Sequence, residues 1–394
     1  MKRRSDYIAL LFLSVLLACV EPYDFDPQSY EKVLVIDGAV SNQEGPYTVT
    51  LNYTYPLETN QSESITTAKV WVEDGDGNTF PYTFTKQNTY SSPDGFRAET
   101  GKKYALWVEM PDGSRYRSDS QLLQAAPLID TIYGKYAELP NENEDQNVGG
   151  IQFFIDANNS DSNAKYFRYE WEEAYKIITP YPAQFRVADD SSIVPLDTAI
   201  GICYQEGASN LLIYGTSVGN AGNQILEFPV RFLSESQQQL RTRYSILVRQ
   251  HAIGEAAYLF YKRLRENNES GGSLFDQQVG SVYGNMYAVD NPDEAVLGFF
   301  EVAGVSEKRS FFDYADLADE INRPPFIYDC FLISGVITTP DSAAYYLNIT
   351  GGNIYSYLET SPDSGMPSEV GIQSKTCTDC SFYAEITPPD YWIE

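Results

Sequence analysis

The chain of 394 residues carries 55 acidic and 27 basic side chains, which gives a net charge of −28 at pH 7. A surface of this charge repels nucleic acids and anionic lipid headgroups, which argues against a nucleic-acid-binding role and against electrostatic docking on a membrane. With 43% hydrophobic residues and 31 tyrosines, the chain is too apolar for disorder to be expected despite its charge.

The first 18 residues have the features of a bacterial export signal. Residues 2–4 are basic, and residues 7–17 form an apolar run that is too short for a transmembrane helix. The sequence Leu16-Leu17-Ala18-Cys19 resembles the bacterial lipobox, whose cysteine is diacylated and becomes the first residue of the mature protein. We therefore expect a lipoprotein signal peptide at residues 1–18, lipidation of Cys19 and attachment to a membrane by acyl chains. The alternative is an ordinary secretory signal followed by an incidental cysteine.

Residues 19–32 are acidic and aperiodic, and they indicate a tether. Short alternating runs such as KVLVIDGAV and YALWVEM follow, separated by Gly, Asn and Asp, and they predict an immunoglobulin-like β-sandwich at residues 33–122. Within it, residues 74–78 (Asp-Gly-Asp-Gly-Asn) favour a hairpin turn. A calcium loop is the alternative, but Thr79 and Thr85 occupy the positions where such a loop needs Gly and Glu.

A boundary at residues 122–127 separates this region from a second β-rich domain, which we expect at residues 128–394. Its strand signals include IQFFIDA, NQILEFPVRFL and RYSILVRQ. Residues 156–163 (DANNSDSN) are typical of a solvated strand connection, with a cation-binding loop as the alternative. Residues 175–224, which contain two early prolines, are expected to form an insertion between strands.

One segment of the second domain is predicted to be helical, over residues 255–267 (EAAYLFYKRLREN). Its apolar residues Ala256, Leu259, Phe260 and Leu264 have the spacing of one helix face. The predicted fold class is therefore mainly β, with two immunoglobulin/fibronectin-like β-sandwich domains, one inserted α-helix and a cysteine-containing C-terminal segment.

Four cysteines follow Cys19, and an exported chain meets an oxidising compartment. We therefore expect two disulfides among Cys203, Cys330, Cys377 and Cys380, of which at least one joins Cys203 or Cys330 to the Cys377/Cys380 pair. A four-cysteine zinc site is one alternative, because two of the cysteines have the Cys-x-x-Cys spacing. A redox pair is the other, although the following residues indicate a strand where such a motif needs a helix.

Sequence motifs for catalysis are weak. Residues 215–219 read Gly-Thr-Ser-Val-Gly, but the nucleophile elbow of a hydrolase needs a helix immediately afterwards, and Asn220-Ala221-Gly222-Asn223 disfavours one. His251 is the single histidine, which argues against metalloenzymes with two histidine ligands and favours a structural role. Phosphate-loop and dinucleotide motifs are absent from the sequence. We assign no catalytic residue, no metal and no cofactor, although a glycosidase carboxylate pair stays open because such pairs converge only in space.

Several strings together resemble one protein family. They are YSILVRQHAIGEAAYLFYKRL, GGSLFDQQVGSVYGN, AVLGFFEVAGV, and the terminal Cys-Thr-Asp-Cys followed by Pro-Asp-Tyr-Trp. These strings resemble the DUF4249 family of Bacteroidota lipoproteins, from the lipobox to the C-terminus. The tail departs from the family pattern, because SFYAEIT stands where a more glycine-rich segment is expected. Thr131, Thr198 and Ser342 also lie in sequences similar to the O-glycosylation sequon of that phylum, Asp-Ser/Thr followed by an aliphatic or small residue.

The resemblance implies an outer-membrane lipoprotein that faces the cell exterior and is encoded beside a TonB-dependent transporter of the SusC type. Glu21, Asp24 and Asp26 resemble the acidic export signal of such lipoproteins, with a generic polar tether as the alternative. The expected function is that of a non-catalytic accessory or ligand-capture subunit of the transporter. A stand-alone glycan-binding or adhesive lipoprotein is the main alternative, and a hydrolase is a third. The sequence does not identify the ligand.

Overall fold

The computed structural model describes residues 32–55, 64–140, 146–158, 162–187, 193–269, 282–317, 319–330, 354–360 and 367–394. The predicted signal peptide, Cys19, the tether before Lys32 and the candidate glycosylation residue Ser342 lie outside the described residues.

Strands dominate the described part of the chain, which confirms the prediction of a mainly β fold. The strands are β1 Leu34–Ser41, β2 Thr48–Tyr53, β3 Lys69–Asp74, β4 Thr79–Lys86, β5 Thr89–Ser91, β6 Lys103–Glu109, β7 Arg115–Ser118, β8 Gln121–Leu122, β9 Ile129–Pro140, β10 Asn147–Ala157, β11 Tyr166–Val187, β12 Ile193–Ala208, β13 Ile213–Thr216, β14 Ile225–Ser234, β15 Arg243–Ile253, β16 Met286–Ala288, β17 Val296–Leu297, β18 Phe300–Asp313, β19 Ile354–Thr360 and β20 Pro367–Ser374. The α-helices are α1 Glu255–Glu269 and α2 Tyr314–Leu317, and short 3-10 turns occupy Ala221–Asn223, Gln238–Leu240, Lys375–Cys377 and Cys380–Phe382.

Within the described residues, 15 strands join one continuous sheet with the order β12-β11-β15-β18-β1-β2-β5-β4-β3-β6-β7-β16, to which β13, β17 and β8 add as side branches. A three-stranded sheet has the order β14-β10-β9, and β19 pairs with β20. The large sheet serves two separate hydrophobic cores, one for each half of its length.

The first core lies where the large sheet folds over on itself. Residues 79–82 of β4 pair with β3, whereas residues 83–86 pair with β5, so β4 contributes to both layers of a first sandwich. Aliphatic side chains from the two layers meet in the first core, among them the fully buried Leu51 and Leu106. Strand alternation supplies these side chains, since every second residue points to the same face.

The two cores share strand β18. Its first residues, 300–303, pair in parallel with β1, and residues 304–313 pair antiparallel with β15. Consequently Phe300 and Val302 lie in the first core, together with Met286, Ala288 and Val296. The predicted limits 128–394 for the second domain therefore need correction, because residues 286–302 complete the first core. A parallel pair needs a long crossover connection, and the residues between β1 and β18 provide it.

The second core is a sandwich in which the β14-β10-β9 sheet covers β11, β15 and β18. Phe153 on β10 is fully buried at its centre, with ring centroids 5.1 Å from Tyr244 and 5.0 Å from Phe312. The segment at residues 122–127, which connects the two cores, passes close to β18. A Cβ on Gly304 would lie 1.9 Å from the carbonyl oxygen of Gln124, so glycine is needed at this position.

The predicted insertion at residues 175–224 is wrong, because most of it is regular strand. β11 and β12 form a long antiparallel hairpin in which Tyr175 pairs with Gln205 and Val187 with Ile193. The two prolines of β11, Pro180 and Pro182, lie beyond the last residue that pairs with β15 and within an irregular stretch of the β12 pairing. Proline is tolerated in strands at such places because no ladder hydrogen bond is lost.

The predicted helix at residues 255–267 is confirmed as α1, but only part of its predicted buried face packs. Of that face, Ala256 and Leu259 are exposed. Phe260 packs against the protein as predicted, together with Ala257 and Tyr261. Tyrosine rings supply part of this face because they join an apolar body to a polar tip. No helix in the described ranges is long and apolar enough to cross a membrane.

Candidate functional site

One row of side chains crosses five strands on the outer face of the first sandwich. In successive strand pairs, Pro81 of β4 lies opposite Trp71 of β3, which lies opposite Trp107 of β6, then Arg117 of β7, then Tyr287 of β16. Directly opposed residues of neighbouring strands have adjacent side chains. The fold thus brings residues from positions 71 to 287 of the chain into a single line.

Strand alternation turns this row towards solvent. Trp71 lies between Val70 and Val72, which are 2% and 0% exposed and belong to the first core. Trp107 likewise alternates with two buried aliphatic residues. Both indoles are half-buried and Tyr287 is 40% exposed, so large aromatic side chains occupy positions where a sandwich surface normally carries polar residues.

The central members of the row form a stack. The rings of Trp71 and Trp107 have centroids 5.7 Å apart and planes inclined by 5°, and the Arg117 guanidinium carbon lies 4.8 Å from the Trp107 centroid. Trp107 is therefore covered on one side by an indole and on the other by a cation, a favourable arrangement for a π-system. Trp107 stacks on the β6 side of Trp71, and the other face of the Trp71 indole points towards β4.

A cleft of about 440 Å³ opens beside Trp71, lined by residues 68–71 and by Thr79, Pro81 and Tyr82. Because Trp107 covers the opposite face of Trp71, the indole face that borders this cleft is the one towards β4. Pro81, which stands directly across from Trp71, contributes the apolar ring of the facing wall. The arrangement is an open slot with a flat aromatic surface on one side and a rigid pyrrolidine on the other.

Ion pairs flank the aromatic row. Lys69 at the cleft contacts Glu109 with an Nζ–Oε1 distance of 2.6 Å. Further along, Arg115 donates from Nε and Nη2 to both carboxylate oxygens of Asp290 at 3.1 and 2.6 Å, and these bonds lower the pKa of Asp290. Lys69 and Arg115 beside the row are thus each paired with a carboxylate.

A second cleft, of about 490 Å³, lies between residues 204–206 of β12 and the C-terminal segment 381–389. Two polar groups at its walls, Tyr204 and Glu206, already have partners in the C-terminal segment. Tyr204 donates to Glu394 at 2.9 Å, and Tyr391 donates to Glu206 at 2.6 Å. This cleft is part of the closure of the C-terminal segment on the sheet, and its polar groups are less available to a ligand than the surface of Trp71.

The family of the chain is decided by its match to DUF4249, which is described as a domain of unknown function, over residues 20–309. The chain belongs to the DUF4249 family. No curated protein matches it. One solved structure with some similarity is described as "Complete structure of manganese lipoxygenase of Gaeumannomyces graminis and partial structure of zonadhesin of Komagataella pastoris", with 10% identity over 56% of this chain and 88% of that chain and a TM-score of 0.12. A TM-score this low carries no argument.

The four cysteines that follow Cys19 in this DUF4249 chain form two disulfides, as predicted. Cys203 is bonded to Cys380, and Cys330 is bonded to Cys377. Both bonds join the C-terminal Cys-x-x-Cys to the body of the protein, and the zinc and redox alternatives are therefore wrong. Next to the first bond, Tyr204 and Glu385 exchange two backbone hydrogen bonds of 2.7 and 2.9 Å.

The strongest titratable cluster of the DUF4249 chain is buried rather than open. It contains Arg168 and Glu170 of β11, His251 of β15, Tyr261 of α1 and Glu301 of β18. Burial alone would raise the pKa of Glu301, but the Arg168 guanidinium and the neighbouring donors hold it below its usual range. The imidazole of His251, 3.4 Å away, and the Arg168 charge likewise lower the pKa of Glu170. This cluster fastens α1 to the sheets.

Ser217 and His251 are not brought together as a hydrolase would require. Ser217 follows β13, which pairs with residues 166–169 of β11, and His251 lies on β15, which pairs with the same residues. The two partner strands must therefore flank opposite edges of β11. Ser217 is fully buried, and its backbone N–H donates to the carbonyl of Lys165 at 2.9 Å, so the Gly-x-Ser-x-Gly string forms a turn.

The other predicted sites are distributed over the surface. Thr131 on β9 and Thr198 on β12 are exposed, so both hydroxyls are accessible to a modifying enzyme. The Asp74–Asn78 turn is a hairpin, as predicted, in which Asp74 accepts backbone hydrogen bonds from Asp76 and Asn78 at 3.0 and 2.9 Å.

Trp71 and Trp107 of the DUF4249 chain are not among the functional residues predicted from the sequence. A signal for them exists, because both tryptophans stand at the polar positions of strands whose alternate residues are aliphatic, in KVWVED and YALWVE. A large aromatic residue at a solvent-facing strand position is informative, whereas one in the core is not. Their mutual alignment depends on strand register, which the sequence alone does not provide.

Proposed function

We propose that this DUF4249 chain is a lipid-anchored outer-membrane protein, facing the cell exterior, that captures a ligand for a SusC-type TonB-dependent transporter without transforming it. The observation that carries the proposal is the face of Trp71 above a cleft whose walls, among the residues that the structure describes, include no acidic side chain. An aromatic surface of this kind binds, whereas hydrolysis of a glycan needs two carboxylates that converge on one bond.

The lipid anchor is supported by the lipobox, which places Cys19 directly after the apolar run. Electrostatic attraction would not hold this chain on an anionic surface, because its net charge is −28. Acyl chains do not depend on that charge, since they bind through buried methylene groups. An anchored protein with a solvent-facing binding site is suited to holding a ligand close to a membrane transporter.

A stand-alone glycan-binding or adhesive surface protein is the second candidate. The same aromatic row favours it, since a binding surface of this type does not need a transporter. The two functions differ in the partner, because an accessory subunit must bury at least about 1,000 Å² against a transporter to form a stable complex.

The test is a pull-down of the tagged, full-length chain from native membranes in mild detergent, followed by identification of the recovered proteins. Repeated recovery of a TonB-dependent β-barrel supports the accessory function. Repeated recovery without any such partner favours the stand-alone binder. A turnover of glycan that is abolished by a point mutation of an acidic pair would replace both with a hydrolase.

A further inference from the structure

We infer that the slot beside Trp71 is the ligand site and that it takes an uncharged, hydroxyl-bearing ring, such as a pyranose of a neutral glycan, stacked on the free indole face. This inference deepens the proposed capture function, since it assigns the site and the chemical class of its ligand.

The binding surface is already rigid. Trp107 lies against the far side of Trp71, with the two rings inclined by only 5°, and Arg117 supports Trp107 in turn. An indole held in this way loses little side-chain entropy when a ligand stacks on it, so more of the contact energy is available for affinity. A flat ring with C–H groups on one face is complementary to such a surface, because the face of an aromatic ring carries partial negative charge.

Charge selects an uncharged ligand. Lys69 lines the slot and repels a cation, while Glu109, 2.6 Å from its ammonium group, repels an anion. The net charge of −28 further opposes an acidic polymer. A neutral ligand meets none of these penalties, and the pair still offers it hydrogen-bond donors and acceptors.

Polar groups at the slot favour a ligand with hydroxyls over a purely apolar one. Thr79 contributes a hydroxyl, and the Lys69 side chain is 74% exposed and retains further donor capacity beyond its contact with Glu109. Pro81 opposite supplies only apolar surface. The slot therefore combines an apolar face for the body of a ring with polar groups at its border, which is the pattern of small-ligand sites.

Strand pairing argues against a peptide in the same place. β3 is paired on both sides at Trp71, with Pro81 of β4 and with Trp107 of β6, so it has no free edge to which an extended peptide could add. A proline-rich segment would need a groove with several open aromatic faces. Here Trp107 is covered on both sides, and Trp71 presents the open aromatic face of the slot.

The experiment uses the full-length chain in detergent and measures binding by calorimetry and saturation-transfer NMR. The probes are maltohexaose and cellohexaose as neutral glycans, hexagalacturonate as an acidic one, and decaproline as a peptide. We expect binding of at least one neutral glycan and neither of the other probes. Trp71→Ala should weaken that binding at least about tenfold, whereas Trp71→Phe, which keeps a ring, should retain most of it.

Tyr287→Ala is the matched control, because it removes an exposed aromatic ring from the other end of the same row without touching the slot. Its affinity should stay within about twofold of the wild type. Unchanged binding by Trp71→Ala, binding of decaproline in preference to glycans, or failure of the wild type to bind either neutral glycan would overturn the inference. Circular dichroism of each variant shows that the fold is retained.

The result of the glycan-binding test can be distinguished from the result of the transporter pull-down. Trp71→Ala should still recover the transporter in the pull-down, since the slot is assigned to the ligand. Loss of glycan binding with an intact transporter complex supports the site, whereas glycan binding without any transporter supports the site and overturns the accessory function.

Discussion

Arg168 and Glu301 form a buried ion pair at the junction of the two cores. The guanidinium donates from Nε and Nη2 to the two carboxylate oxygens at 2.9 and 2.8 Å, and the side chains are 13% and 3% exposed. Tyr261 of α1 donates to the same carboxylate at 2.7 Å. Since Glu301 lies where β18 pairs with β1 and Arg168 lies on β11, one carboxylate connects the first core, the second core and the helix.

Replacing Glu301 with Gln should destabilise the protein strongly. The substitution removes the buried countercharge of Arg168 and leaves only the more exposed Glu170, and breaking a buried ion pair typically costs about 3–5 kcal/mol of unfolding free energy. Urea unfolding of both proteins measures the difference. The matched control is Glu266→Gln, because the Lys262–Glu266 pair is exposed on α1 with an Nζ–Oε1 distance of 3.9 Å, and we expect a loss below about 0.5 kcal/mol there. Equal losses in the two variants would contradict a role for the buried pair.

The pH dependence of stability should contain a contribution from Glu170. His251 and Arg168 lower the pKa of this carboxyl from its ordinary value of 4.5. A lowered pKa in the folded state stabilises the protein above the unfolded pKa, and this stabilisation is lost as the pH falls towards the folded pKa. The difference in unfolding free energy between the wild type and Glu170→Gln should thus be largest above about pH 4.5 and shrink below it. A difference that does not change over this window would exclude the contribution.

The elements that could be predicted from the sequence are those that depend on local pattern. The helix at Glu255–Glu269 follows from its periodicity, and the disulfides follow from four cysteines behind a sequence that predicts export. The buried face of α1 was predicted only in part, because the predicted face did not include Tyr258 and Tyr261, whose rings pack against the protein and of which the second reaches Glu301 with its hydroxyl.

Features that depend on the register between distant strands could not be predicted from the sequence. β18 pairs with β1 across more than half of the chain, so nothing near Phe300 shows that it completes the first core. The candidate site has the same origin, because Trp71 meets Trp107 and faces Pro81 only after the registers of β3 with β6 and with β4 are fixed. A one-residue slip of any of these strands would turn its side chain into the core.

Removing the disulfide between Cys203 and Cys380 should lower the unfolding free energy by about 2–4 kcal/mol, because a long loop of the unfolded chain is released. The double variant Cys203→Ser/Cys380→Ser tests this in chemical unfolding. The variant Cys330→Ser/Cys377→Ser is the matched control, since its cysteines are 47 rather than 177 residues apart. Its loss should be smaller by about 1 kcal/mol on loop entropy. A larger loss in the control would show that native contacts, and not loop length, set the effect.

Gly298→Ala should be among the most destabilising single changes. Gly298 has φ +97°, and a Cβ there would lie 2.0 Å from the carbonyl oxygen of Ile36 in β1. The pairing of β17 and β18 with β1 must then shift, so we expect a loss of at least about 2 kcal/mol. Gly113→Ala is the control, because its φ of +92° is similar but nothing lies within 4 Å of the added atom. It should cost only the backbone strain, about 1 kcal/mol. Equal losses would show that the contact with Ile36 relaxes freely.

Replacing Cys19 with Ser should move the protein from the membrane fraction to the soluble fraction of the periplasm. The thiol is the predicted attachment point of the acyl chains, each buried methylene contributes about 0.8 kcal/mol to membrane binding, and a net charge of −28 offers no electrostatic substitute. Fractionation followed by immunoblotting measures the distribution. The disulfide variant Cys330→Ser/Cys377→Ser, which also lacks cysteines but keeps Cys19, should stay with the membrane. If Cys19→Ser remains membrane-bound at the wild-type level, the chain is held there by a partner or by another anchor, and the assignment of Cys19 is wrong.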